Sequence, residues 1–316
     1  MNVLVTGAAG FIGSHLSEAL LAAGHAVTGV DNFDPYYDRA VKERNLKGSL
    51  LQPGFRFVEL DLKDAPAVRA LMAQGWDRVV HLAGRGGVRR SILEPQAYLE
   101  NNLVATGNIL EAMRETGLDR LVFASTSSVY GNRSPIPFRE DARADWPISP
   151  YSASKKACEV LAYAYHHLHA LHVYVLRFFT VYGPRQRPDM AIHKFVRAVT
   201  RGEAIERFGD GSTERDYTYV DDIVAAVVRA VERVEGYEII NIGGAQTTSL
   251  SRLIELIEDG TGETARIVEK PLPPGDVVRT YADTSKAGRL LDFKAEVPVE
   301  EGLRRFIRWY REEPLP

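Results

Sequence analysis

A short apolar, β-branched run from Asn2 to Thr6 (NVLVT) stops at Gly7-Ala8-Ala9-Gly10-Phe11-Ile12-Gly13 and passes directly into the helical stretch SHLSEALLAAG. This is a strand, a glycine turn and a helix, and it constrains the fold more than any other stretch. Glycines at three-residue steps let backbone approach a pyrophosphate, and the following helix start offers free N–H groups and a favourable dipole. Gly24 ends the helix, AVTGV reads as the next strand, and Asp31-Asn32 follows where a carboxylate meets the ribose hydroxyls of a dinucleotide. A carboxylate there repels a 2'-phosphate, so the spacing favours NAD over its phosphorylated relative.

The alternation continues. FRFVELDL reads as a third strand ending at Asp61-Leu62, APAVRALMAQ as a helix, and RVVHLAG as a fourth strand carrying Leu82 and Ala83 at its end. Repeated β-α units imply a doubly wound parallel α/β sheet with right-handed crossovers and ligands at the carboxyl ends of its strands. FDPYYDRAVKERNLKGSL, between the second and third strands, is too long for a tight turn and reads as a functional insertion. Gly84-Arg85-Gly86-Gly87-Val88-Arg89-Arg90 follows the fourth strand. Arg89 suits either a diphosphate or carboxylate grip or a solvated loop, whereas Arg85 and Arg90 read as solvated. YLENNLVATGNILEAMRETG reads as one long helix, LDRLVFASTSSVYG as a strand, and VYVLRFFTVYG as the sixth. We divide the chain into a dinucleotide-binding unit, 1–180, and a smaller substrate lobe, 181–316, with at least one later element returning to the first.

The chemistry sits in Tyr151-Ser152-Ala153-Ser154-Lys155. If this stretch opens a helix, Tyr151 and Lys155 stack one turn apart on one face. A tyrosine hydroxyl titrates near ~10, and a neighbouring ammonium lowers that value, which makes the pair a proton acceptor for an alcohol. Thr126, about two dozen residues earlier at a strand end, completes a Thr-Tyr-Lys set by holding a substrate hydroxyl against the base.

Composition narrows the alternatives. With 316 residues, 45% hydrophobic and 26% charged, the chain is a globular protein able to bury a large core. A net charge of -3 speaks against nucleic-acid binding, and no apolar run is long enough to span a membrane. Neither a signal sequence nor a disulfide is expected, since Cys158 is the sole cysteine, so the reading is a cytoplasmic protein. His166, His167, His169 and His172 read as a polar face of the Tyr-Lys helix, without metal-ligand spacing.

These motifs resemble the extended short-chain dehydrogenase/reductases that act on nucleotide sugars, and most of all the UDP-glucuronate 4-epimerases. Gly7 to Gly13, the Thr126-Tyr151-Lys155 set, Arg215-Asp216-Tyr217 with Asp221-Asp222, and Pro274-Gly275-Asp276 carry the resemblance. It implies a Rossmann-type domain that holds NAD through Gly7, Gly10, Phe11, Ile12, Gly13, Asp31, Asn32, Asp61, Leu62, Leu82 and Ala83. Asp61 would contact adenine, Arg215 and Arg279 the diphosphate, and Asp276 the uridine ribose. Asn102 would lie near Lys155, and two long helices beginning near Tyr98 and Tyr151 would pair two copies into a homodimer.

Within the family, Ser127 and Ser128 replace the acidic pair of dehydratases. Ser128 and Thr180 stand where decarboxylases carry Glu and Asn. The resemblance therefore implies a UDP-hexuronate whose carboxylate is held by Ser127, Ser128 and Thr180 with Arg187 for charge, and Arg89 beside the substrate. The chain departs from the commoner pattern at Gly84-Arg85 and Gln186. A UDP-glucose 4-epimerase, a UDP-glucuronate decarboxylase and a non-catalytic nucleotide sensor remain alternatives.

Overall fold

The computed structural model describes residues 1–271 and 277–313. Its centre is a seven-stranded sheet made of β1 (Asn2–Thr6), β2 (Ala26–Asp31), β3 (Phe55–Glu59), β4 (Arg78–His81), β5 (Arg120–Thr126), β6 (His172–Phe178) and a last strand, Tyr237–Ile242. The last is β11 in chain order. It follows the short strands β7 (Thr180–Tyr182), β8 (Ala204–Phe208), β9 (Glu214–Arg215) and β10 (Tyr217–Tyr219). The order is β11-β6-β5-β4-β1-β2-β3, with every pair parallel. The winding reverses between β1 and β4, and the crevice at that switch point is where such sheets bind ligands.

Helices cover both faces. Helices α1 (Phe11–Ala22), α2 (Arg39–Leu50), α3 (Ala65–Met72), α4 (Val88–Leu93) and α5 (Pro95–Tyr98) precede a wide turn at Leu99–Val104 and α6 (Ala105–Thr116). Then come α7 (Pro150–His169), α8 (Ala191–Thr200) and α9 (Val220–Arg233). Leu16 and Leu20 of α1 pack with Val224, Val227 and Val231 of α9 on one face, all buried. Val68, Ile109, Leu110, Cys158 and Ala162 fill the other. Each fully buried Leu or Val of this kind contributes about 1.5–3 kcal/mol.

Three sequence expectations change in detail. The single strand read through VYVLRFFTVYG divides at Phe179, where the chain leaves the sheet and β7 pairs with β10 instead. The long helix read from Tyr98 starts at Pro95 and is interrupted by the wide turn, which turns Asn102 inward to grip Arg85: its Oδ1 accepts from Arg85 N at 2.8 Å and its Nδ2 donates to Arg85 O at 3.1 Å. His172 leaves the histidine face, because α7 ends at His169, Ala170 turns left-handed, and His172 opens β6. From beyond residue 180, β11 returns to the main sheet and α9 packs against α1. The remaining elements are β12 (Thr248–Ser249), α10 (Leu250–Thr261), β13 (Arg266–Lys270), α11 (Ser285–Leu291) and α12 (Val299–Glu312). Of these, β12 and β13 pair with β9 and β8 in two small ribbons, away from the main sheet.

Candidate active site

The carboxyl ends of β1 to β6 open onto one cavity of about 1000 Å³, at the upper end of the usual range for ligand pockets. Its floor is the first glycine turn. Gly7 has φ 72°, and a Cβ on Gly13 would stand 2.1 Å from Gly7 O, so only bare backbone fits here. Helix α1 begins without a side-chain cap or an acidic residue in its first turn, which leaves its N–H groups for an anion. Asp31 is fixed by Ala9 N at 3.2 Å and Phe33 N at 2.9 Å, with Lys42 Nζ 3.6 Å away. A glycine cradle, an uncapped helix start and an oriented carboxylate at the end of β2 fit a dinucleotide.

The base is placed by a local device. Ser149 and Ser152 form a reciprocal capping box, at 3.1 Å in each direction, and Pro150 occupies the first helical position. The helix therefore starts at residue 150, and Tyr151 and Lys155 face the cavity from its first two turns. Burial pushes the Tyr151 hydroxyl up, while hydrogen bonding with Thr126 and the Arg187 charge pull it down. Burial pushes the Lys155 ammonium down. Lys155 Nζ lies 4.6 Å over the Phe123 ring. Arg187 is thus a second cation near Tyr151, beside the Lys155 that spacing places one turn along the same helix. Gly86 makes room for Arg187: a Cβ there would lie 3.0 Å from Arg187 Nη1 and 3.9 Å from the Tyr151 hydroxyl.

The four hydroxyls at the end of β5 and just beyond it separate into two uses. Ser125 donates to buried Glu159 at 2.6 Å and is held from behind. Thr126 Oγ1 accepts from Ser128 N and donates to Ser128 Oγ, both at 3.2 Å, so Thr126 and Ser128 form one rigid turn at the cavity wall with Ser127. Every residue expected to hold cofactor, from Gly7 to Ala83, lines this cavity, as do Thr126, Ser127, Ser128, Tyr151, Lys155, Arg89, Thr180, Arg187 and Arg215. Asn102 Oδ1 and Lys155 Nζ both lie within 4 Å of the point where a Gly84 Cβ would stand, so the two are neighbours.

One expected residue stands elsewhere, and one is not described. Arg279 is not part of the wall; its Nε is held by Glu214 at 2.6 Å on a half-exposed side chain. Asp276 lies outside the described residues. Within the signature at 215–217, Asp216 is structural: it is buried and accepts from the N–H groups of Gly244, Ala245 and Ala282.

Several wall residues carry no local sequence signal. Lys42 is buried beside Asp31 and donates to Asp34 O at 3.0 Å. Phe208 lies under the Arg89 guanidinium at 4.0 Å, which forms a flat slot at the far end. Arg85, read as solvated, ion-pairs with Asp34 and Glu94, and Gln186 is buried with Nε2 on Val181 O at 3.0 Å. The aromatic insertion after β2 is the one part that sequence pointed to, and Asp34, Tyr36 and Tyr37 from it all reach the wall.

Residues 3–243 match the model of the NAD dependent epimerase/dehydratase family. The chain belongs to that family. It is 43% identical over 311 residues to the UDP-glucuronate 4-epimerase of Thermodesulfobacterium geofontis, covering 98% of this chain and 96% of that one. Its structure is similar to that of the UDP-glucuronic acid 4-epimerase from Bacillus cereus in complex with UDP-glucuronic acid and NAD, with a TM-score of 0.94, 38% identity and 99% of both chains covered. The UDP-glucose 4-epimerase of Thermotoga maritima, with UDP-glucose, superposes with a TM-score of 0.90 at 32% identity over 99% of both chains.

Proposed function

We propose that this enzyme inverts C4 of UDP-glucuronate to give UDP-galacturonate, with NAD as its cofactor. The observation that carries the reading is the meeting of Tyr151, Thr126 and Lys155 with Arg187 in the same cavity. It combines an alcohol-oxidising set with a cation suited to a hexuronate. The relatives that act on UDP-glucuronate support the substrate.

In this reading Gly7, Gly10 and Gly13 with the start of α1 hold the pyrophosphate, and Asp31 and Asn32 take the adenosine ribose. Asp61 and Leu62 flank adenine, Leu82 and Ala83 line the path onward, and Lys155 anchors the reactive end. The bound dinucleotide supplies a hydride acceptor that later returns the hydride, so the reaction has no net redox change. Thr126 orients the sugar O4 hydroxyl and Tyr151 accepts its proton, then gives it back after the 4-keto sugar has turned over. Lys155 one turn along, with Arg187 beside it, favours the phenolate that makes this transfer possible.

A 4-keto glucuronate is a β-keto acid and loses carbon dioxide when its carboxylate aligns with the carbonyl π-system. Ser127, Ser128 and Thr180 hold that carboxylate out of alignment, with Arg187 balancing its charge. Arg89 over Phe208 and Arg215 take the nucleotide end, together with Arg279 and Asp276. Thr180→Ala should raise the ratio of pentose to epimer product by NMR; an unchanged ratio removes Thr180 from this role.

We also propose a cytoplasmic homodimer. The described residues contain no helix long and apolar enough to cross a membrane, and the one cysteine is buried and unpaired. Leu99, Val104, Val160 and Tyr163 expose apolar surface along the turn before α6 and along α7, the face expected to pair. Light scattering at the mass of one chain would contradict the dimer.

A further inference from the structure

Arg85 lines the cavity, and the mechanism leaves it unused although several neighbours hold it. Its side chain is 15% exposed, and its guanidinium bridges two carboxylates: Nη2 donates to Asp34 Oδ2 at 3.0 Å and Nη1 to Glu94 Oε2 at 3.1 Å. Asn102 locks its backbone from both sides.

Both carboxylates lead to the same ring. Asp34 Oδ1 accepts from Tyr36 N at 3.0 Å. Glu94 Oε1 accepts from Arg90 Nε at 3.0 Å, and Arg90 Nη1 donates to Tyr36 O at 2.9 Å while its guanidinium covers the ring at 4.3 Å. Tyr36 is therefore held at its N–H, its carbonyl and one face. Its hydroxyl donates to Gly86 O at 2.8 Å. The same carbonyl accepts from the Tyr98 hydroxyl and from Arg187 Nη2, each at 3.2 Å, and Arg187 also stacks on Tyr36 at 5.1 Å.

We propose that Arg85 is a positioning residue for the catalytic base, acting through Tyr36 to fix the Gly86 carbonyl and the Arg187 guanidinium against Tyr151. The order of contacts is Arg85, then Tyr36, reached through the two carboxylates and directly by the Arg85 guanidinium 5.8 Å over its ring, then Gly86 with Arg187, then the hydroxyl that takes the proton. Arg85 touches neither the base nor Arg187 directly, so its influence is carried by geometry. Charge-assisted, multiply bonded pairs of this kind hold direction as well as contributing energy. Loss of direction at the end of the chain reduces the chemical step more than binding.

This inference rests on the epimerase reading for its kinetic test and on geometry alone for its structural one. With whichever of UDP-glucuronate and UDP-glucose the wild type turns over, Arg85→Gln should lower kcat roughly tenfold to hundredfold with KM little changed. Asp34→Asn, which removes one of the two Arg85 ion pairs without altering the Gly84–Gly87 loop, should lower kcat in the same direction and by no more. Tyr36→Phe should lose as much as Arg85→Gln, and the Arg85→Gln/Tyr36→Phe double variant no more than Tyr36→Phe alone. Losses that multiply, or an unchanged kcat in Arg85→Gln, overturn the proposal. If neither sugar is turned over, the epimerase reading fails and this one is decided by a crystal structure of Arg85→Gln. The Tyr36 hydroxyl should have left the Gly86 carbonyl, and a retained hydrogen bond there overturns the inference.

Discussion

The helix that carries the base is anchored by a buried ion pair whose removal has a calculable cost. Glu159 lies one turn beyond Lys155, and Arg177 lies near the end of β6; both side chains are 1% exposed. Arg177 Nε and Nη2 donate to the two Glu159 oxygens at 2.9 and 2.7 Å, Ser125 Oγ adds a third bond at 2.6 Å, and Lys156 Nζ approaches at 3.3 Å. Burial alone would push the Glu159 carboxyl up, but the bonds and charge of Arg177 outweigh it and hold the group below its ordinary range. Glu159→Gln keeps the shape and removes the charge, leaving a fully buried guanidinium facing an amide. Breaking a buried pair from one side costs about 3–5 kcal/mol, whereas replacing both partners by apolar residues of similar size is often neutral. Urea unfolding should therefore show Glu159→Gln destabilised by that amount and the Glu159→Leu/Arg177→Met double variant recovering most of it. A loss below about 1 kcal/mol in the single variant, or a double variant no more stable than it, would refute the reasoning. Glu159 charge also supports the Lys155 ammonium against burial, so the single variant should lose kcat beyond its loss of folded protein.

Two further outcomes follow from local geometry. Gly13→Ala would place a methyl 2.1 Å from Gly7 O and 2.9 Å from Ala8 Cα, both rigid backbone; we expect about 1–3 kcal/mol of destabilisation and no NAD binding by calorimetry, and wild-type affinity would contradict the cradle. His15 bonds to Pro184 O at 2.9 Å, and burial, aided by Arg185, lowers its pKa from 6.5 to about 4. Its contribution is complete above 6.5 and is lost as pH falls from 6.5 toward 4, because the unfolded chain then binds a proton that the folded one does not. Stability of the wild type should thus fall more steeply than that of His15→Gln in this window, by up to about 1.4 kcal/mol per pH unit; parallel curves would contradict it.

What sequence made readable was local. The glycine turn, the alternating elements and the YSASK helix start are each written within a dozen residues, because the periods of strands and helices and the chemistry of caps are short-range properties. Side-chain partnerships across the fold are not. Lys42 meets Asp31 only because α2 packs back against α1 and β3, and Arg85 meets Asp34 only because β4 lies two strands from β2. Seen along the chain, a glycine-flanked arginine resembles any solvated loop charge. Arg187 shows the same limit: the family resemblance suggested a substrate charge, while its proximity to the Tyr151 hydroxyl depends on the bare Gly86 backbone between them. The break at Phe179 was hidden because VYVLRFFTVYG is apolar throughout, and only the pairing of Thr180–Tyr182 with Tyr217–Tyr219 ends the sheet there.

The central claim is that Tyr151 and its neighbours invert a hydroxyl on a UDP-hexuronate without losing its carboxylate. Proton NMR of wild-type enzyme incubated with UDP-glucuronate tests it most directly, with Tyr151→Phe in parallel. The account predicts UDP-galacturonate as the product, little pentose, and a rate reduced by about 10²–10⁴ in the variant. UDP-pentose as the main product, turnover of UDP-glucose alone, or an unchanged rate in Tyr151→Phe would contradict it.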